Sequence, residues 1–145
     1  MLDASVILKW YFEENLSEDA RELRRWIQHE GIGVAIPDYF FIEAANVLWK
    51  KTVLLKEVRR IEAWEIFREI RKLPFQIIPV QEILTSVFQF ISQHKISVYD
   101  GIYLITAHEL GAKLITADSA FVHQLKGLSL STTAADLSNW KTLAS

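Results

Sequence analysis

The chain has 145 residues, half of them apolar, with five tryptophans, eight phenylalanines and no cysteine. That size suits one domain over residues 1–145 with a substantial core, and the absence of cysteine excludes disulfides, thiolate nucleophiles and cysteine zinc sites. With a net charge of −2, no apolar run of membrane-spanning length and no basic-then-apolar start, the expectation is a soluble, cytoplasmic protein without a membrane segment.

In chain order, Asp3 follows the shortest of apolar starts. Residues 4–14 then predict a short helix with Val6, Ile7, Trp10 and Tyr11 at helical spacing. Ser17 is a fitting N-cap for a helix reaching Gln28 or His29, with Glu18 and Asp19 in its first turn. Gly31 and Gly33 break that pattern, residues 34–36 read as a strand, and residues 39–51 return to helix. The next helix spans residues 57–72, with Val58, Ile61, Trp64, Phe67 and Ile70 on one face, and Pro74 stops it. Residues 75–80 form an apolar strand, and a helix carrying Ile83, Leu84, Val87, Phe88 and Ile91 follows. Ser97 caps a helix over residues 98–110 that ends at Gly111. Residues 113–116 are a strand, 119–126 a short helix and 128–130 a last strand. Strands separated by helices imply right-handed crossovers and a parallel sheet covered on both faces, with ligands at the carboxyl ends of its strands.

Charge is unevenly spread. Between Lys50 and Lys72 eight basic residues (Lys50, Lys51, Lys56, Arg59, Arg60, Arg68, Arg71, Lys72) face four glutamates, a local +4. A solvated helix face accounts for this run, and so does a basic arm that holds a polyanion beside an acidic centre.

Four carboxylates stand at predicted element boundaries. Asp3 and Asp118 fall at strand ends, and Glu43 and Asp100 in the first turns of following helices. Each has a structural reading. Asp100 sits at N3 behind a Ser97 cap, and Asp3 and Asp118 suit turns. Glu43 is harder to explain that way, because Phe40, Phe41, Ile42, Ala44 and Ala45 flank it, and a buried carboxylate needs a partner or loses its charge. The topology can bring all four to one rim, and acids gathered there call for a hard divalent cation.

The chain resembles the PIN-domain ribonucleases, and within them the VapC-type toxins of toxin–antitoxin pairs. The resemblance runs from DASVILKWY through PDYFFIEAANVLWK to SVYDGIYLITAHELGAKLITADSAF. It implies an α/β/α sandwich around a central parallel sheet of about five strands, and metal-dependent cleavage of RNA. The acidic quartet it implies is Asp3, Glu43, Asp100 and Asp118. Asp3, Asp100 and Asp118 would bind Mg2+ or Mn2+ directly or through water, with Glu43 as a further ligand or the group that orients or deprotonates the water. Thr116 and Ser5 fall on hydroxyl positions of the pattern, and Asn46, three residues after Glu43, is placed to orient it. Oxygen-only ligands suit those ions independently of the resemblance. The resemblance also implies a VapB-type antitoxin as partner, and a homodimer. Trp10, Tyr11, Phe12 and Trp26 read either as a docking patch for such a partner or as ordinary core.

Two features depart from the family pattern. Only Met1 and Leu2 precede Asp3, where family members carry several apolar residues. Gly101 stands where a bulkier small residue is common, and glycine inside a helix costs about 1 kcal/mol relative to alanine. The short start favours a rival reading, a PIN-fold RNA-binding or regulatory domain with weak metal affinity. The intact quartet favours the nuclease. A receiver or haloacid-dehalogenase-like phosphatase fits less well, because Ser5 stands where a second acid is needed.

Overall fold

The computed structural model describes residues 1–143, so the last two residues of the expected domain lie outside it. Helices α1 (Ala4–Leu8) and α2 (Ser17–Glu30) precede strand β1 (Val34–Pro37). Helix α3 (Phe40–Trp49) continues into a π-helical turn at Lys50–Leu54 and is followed by α4 (Arg60–Ile70). Strand β2 (Phe75–Ile78), helices α5 (Val80–Ile91) and α6 (Val98–Glu109), strand β3 (Leu114–Thr116), helix α7 (Ser119–Gln124) and strand β4 (Ala134–Asp136) complete the α/β alternation, and a 3-10 turn at Leu137–Leu143 follows.

All strand pairing is parallel. β1 pairs with β2, Val34 opposite Phe75, and β3 pairs with β4, Leu114 opposite Ala134. A single bridge joins Leu2 to Ile115. The described residues therefore form two ladders and a bridge rather than one continuous sheet of about five strands. Between the ladders, residues 1 to 3 contribute only that bridge. They are nevertheless in register. The Ile115 N–H donates to the Met1 carbonyl at 3.0 Å, and the Asp3 N–H donates to the Ile115 carbonyl at 3.3 Å.

Side-chain alternation shows that the two ladders share one plane. Met1, Ala35, Leu114 and Ala134 point into one core cluster, with residues of α5, α6 and α7. Leu2, Ile36 and Ile115 point into the other, with α1, α2, α3 and Trp140. This is the expected three-layer α/β/α arrangement, since period-2 alternation sends neighbouring residues to opposite faces. Each Leu or Ile buried there, such as Leu2, Ile36 or Leu114, contributes roughly 1.5–3 kcal/mol.

Three local expectations are corrected. The first helix ends at Leu8, and the chain leaves through tight turns, with Lys9, Trp10 and Tyr11 N–H groups bonding three residues back. The last strand is residues 134–136 rather than 128–130. Leu128, Ser131 and Thr133 donate to Leu125, Leu128 and Leu130, so the apolar alternation there lies in successive turns. The fourth helix begins at Arg60, and its apolar face is not closed, because Ile61 and Trp64 are 63% and 65% exposed.

Gly101 is required by packing. A Cβ there would lie 2.7 Å from Ile91 Cγ2 and 3.2 Å from Val87 Cγ1, so α6 approaches α5 more closely than any larger residue permits. No helix among the described residues is long and apolar enough to cross a membrane.

Candidate active site

Asp3 caps α1. Its backbone is extended, and its Oδ1 accepts from the Val6 N–H at 3.2 Å. Ser5 Oγ donates to the same oxygen and itself accepts from the Ala117 N–H at 3.0 Å, which ties α1 to the residue just past β3. Thr116, fully buried, accepts from the Asp118 N–H at 3.0 Å, and its hydroxyl lies near enough to Asp3 to favour the ionised carboxyl. Burial pushes the Asp3 carboxyl above its ordinary range, and these hydroxyl and N–H donors offset only part of that.

Glu43 comes from the first turn of α3, half-buried, and Oε2 accepts from the Tyr103 hydroxyl at 2.7 Å. Burial raises its pKa first, the Tyr103 hydrogen bond opposes this, and the charges of Asp3 and Asp100 raise it further. Asp3 and Asp100 are thus both within electrostatic reach of Glu43.

Asp100 keeps its structural role while facing this pocket. Ser97 Oγ donates to its Oδ2 at 2.7 Å and accepts from its N–H at 3.1 Å, a cap closed in both directions. Asp118 caps α7, accepting from the Phe121 N–H at 2.9 Å, and is exposed. Its backbone N–H bonds Thr116, whose hydroxyl lies near Asp3.

The supporting residues divide. Ser5 bonds Asp3 and Thr116 lies near it, as just described. Asn46 is exposed and makes no hydrogen bond to Glu43, whose side chain turns inward to Tyr103 instead. Lys9 pairs with Glu14 at 3.3 Å. Trp10, Tyr11, Phe12 and Trp26 pack against the core, so the core reading of those aromatics holds. Exposed aromatics lie elsewhere, at Trp49, Trp64, Phe88 and Tyr99. Sequence reasoning missed Tyr103. The signal for it was its spacing, three residues after Asp100 and therefore on the same side of α6.

Among the described residues no group of three or more acidic or imidazole side chains is gathered tightly enough to hold a metal ion. The donor chemistry nonetheless fits a hard cation. The acids offer oxygen alone, and burial together with mutual repulsion leaves a deficit of positive charge at Asp3 and Glu43.

Residues 1–124 match the PIN domain family. Ribonuclease VapC3 of Pyrobaculum aerophilum is 29% identical to this chain over 134 residues, covering 88% of this chain and 95% of that protein. The crystal structure of PAE2754 from Pyrobaculum aerophilum is similar in fold, with a TM-score of 0.71 at 23% identity over 99% of this chain and 88% of the other. The three-layer fold, the parallel ladders and the match over most of the sequence together show that this chain belongs to the PIN-domain family.

Proposed function

We propose that this chain is a divalent-metal-dependent endoribonuclease that hydrolyses RNA phosphodiester bonds, and that it acts as the toxin of a toxin–antitoxin pair in the cytoplasm. The observation that carries the reading is the approach of Asp3 and Asp100 to Glu43, where burial raises the Asp3 and Glu43 carboxyls and the charges of Asp3 and Asp100 raise Glu43 further. The name of the relative, ribonuclease VapC3, supports the same chemistry.

Asp3, Asp100 and Asp118 would hold Mg2+ or Mn2+ directly or through water, and Glu43 would be a further ligand or the base. Mg2+ keeps several waters and needs only one or two carboxylates with substrate phosphate, so loading asks for side-chain adjustment and no change of fold. Such a cation, once bound, supplies neutralising charge at the phosphate and a more acidic water. Ser5 and Ser97 hold two of the carboxylates in place. Glu43, with its pKa raised, is suited to take the proton of water as its oxygen bonds to phosphorus. The phosphorus–oxygen bond to the leaving nucleotide breaks, and that oxygen takes a proton from solvent. Exposed Arg60, Arg68, Arg71 and Lys72 offer charge along the RNA backbone.

A VapB-type antitoxin is the partner this reading requires. Between α3 and α4 lies a groove of about 350 Å³ lined by Leu48, Trp49, Val53, Arg60, Trp64 and Phe67, apolar with a cation at its edge. An apolar helix carrying acidic residues fits it. Exposed Leu84 and Phe88 on α5 offer a separate apolar face for a homodimer.

The second reading, a PIN-fold RNA-binding or regulatory domain that does not cleave, is favoured by one observation: the quartet is only loosely gathered, with Asp118 exposed. One assay separates the two. Purified protein is incubated with RNA in Mg2+, in Mn2+ and in excess chelator, beside Asp100→Asn. Cleavage is expected with either metal, none with chelator, and none from the folded variant. Cleavage that persists in chelator or in Asp100→Asn contradicts the mechanism, and RNA binding without cleavage selects the second reading.

A further inference from the structure

We infer that Tyr103 is a positioning residue for Glu43, holding Oε2 of its carboxylate and leaving Oε1 as the oxygen available to the acidic pocket. The assignment rests on the metal-site reading above and goes beyond it by naming what fixes Glu43.

The case begins in α6, where every residue from Gly101 to Ala107 is buried. Tyr103 and Thr106 are the hydroxyls in that stretch, and a buried hydroxyl must find a partner. Thr106 is satisfied inside its own helix, donating to the Ile102 carbonyl at 2.6 Å. Tyr103, 4% exposed, instead reaches across the fold to Glu43 at 2.7 Å. Its ring is locked by the core cluster that includes Ile83, Val87, Leu104 and Leu114, so the hydroxyl points from a fixed base.

The Ala4 N–H, next to Asp3 at the start of α1, also lies near enough to the Tyr103 phenol to favour negative charge on it. That N–H is among those a helix start leaves without an intrahelical acceptor. One hydroxyl therefore joins α6, which carries Asp100, to Glu43 on α3, close to the start of α1. Glu43 has several rotatable bonds, and a carboxylate beside two others gains by swinging toward water. The Tyr103 hydrogen bond opposes that motion. Groups that hold a metal ligand in this way matter by about 10–100-fold in metal affinity or activity when removed.

Tyr103→Phe keeps the ring and removes the hydroxyl, and a double-mutant cycle with Glu43→Ala separates positioning from plain packing. Mn2+ affinity is measured by calorimetry and thermal stability is followed in parallel. The expected result is that Tyr103→Phe weakens Mn2+ binding by about 10-fold in the wild-type background. In the Glu43→Ala background it should leave Mn2+ affinity unchanged, and its effect on Tm should differ there, because the hydrogen bond it removes is already gone. Equal Mn2+ affinity of wild type and Tyr103→Phe, or the same loss in both backgrounds, overturns the assignment and leaves the metal-site reading standing. A wild-type protein that binds no Mn2+ contradicts the metal-site reading itself, and the assignment falls with it.

Discussion

At the scale of residues, Asp3 serves two ends that conflict. As the N-cap of α1 it stabilises the helix, yet burial holds its pKa above the ordinary value, so its ionised form costs folding energy in the absence of a cation. Glu43 shares that penalty. A carboxyl whose folded pKa is raised binds its proton more readily in the folded state. Metal-free stability therefore falls as pH rises from the ordinary carboxylate range through the raised pKa. The expected outcome is that Asp3→Asn, which keeps a capping oxygen, raises the Tm of the metal-free protein at pH 7 by a few degrees while removing RNA cleavage. Its Tm should also depend less on pH between 5 and 7 than that of the wild type. Thermal melts at the two pH values check this, and a lower Tm for Asp3→Asn at pH 7 contradicts it. Much of this chemistry was legible in the sequence, because an acid beside a strand end or behind a capping serine is a local signal. Tyr103 was not, because a tyrosine inside the apolar run GIYLITA reads as core until its partner on α3 is known.

At the scale of elements, α6 is the part of the site most tightly bound to the rest of the fold. Ser97 starts it, Asp100 closes the cap, and Gly101 admits Ile91 and Val87 of α5. Alanine at 101 would gain about 1 kcal/mol of helix propensity, but its Cβ would sit 2.7 Å from Ile91 Cγ2, a branched methyl with little room to move. Overpacking of that kind costs about 1–3 kcal/mol, so Gly101→Ala is expected to be net destabilising. Combining it with Ile91→Ala should recover less than the sum of the two losses, a coupling that chemical denaturation measures. The cap of α6 was readable from SVYD and its end from Gly111, whereas the reason for Gly101 depended on which helix crosses it. The strand expected at residues 128–130 failed for a related reason. Period-2 apolar spacing over three residues fits a run of turns as well as a strand, and only the ladder with β3 selects residues 134–136. On α4 the apolar stripe was real, but Ile61 and Trp64 on it remain exposed.

At the scale of the whole molecule, the three layers bring Asp3 and Asp100, 97 residues apart in sequence, within electrostatic reach of Glu43. The alternation of strand and helix made that architecture legible. The division into two ladders was not legible, because it depends on which backbone groups meet, as in the Met1 and Asp3 hydrogen bonds to Ile115. A cation that binds only the folded state adds stability by mass action, about 2.7 kcal/mol when present at 100 times its Kd. Mn2+ is therefore expected to raise Tm at pH 7 in a concentration-dependent way. That gain should shrink as pH falls and the carboxylates protonate, since a metal competes with protons for its ligands. Melts across a Mn2+ series at two pH values test this, and a Tm indifferent to Mn2+ at pH 7 speaks against a site in the folded chain.

The central claim is that Asp3, Glu43, Asp100 and Asp118 serve one metal site. Crystals grown with Mn2+ and measured at its absorption edge address it most directly. The account predicts an anomalous peak in the acidic pocket, in contact with the Asp3 and Asp100 carboxylates directly or through water, with Asp118 drawn toward it. A pocket without a peak at saturating Mn2+, or a peak held by acids outside the quartet such as Asp38 or Asp136, would contradict it.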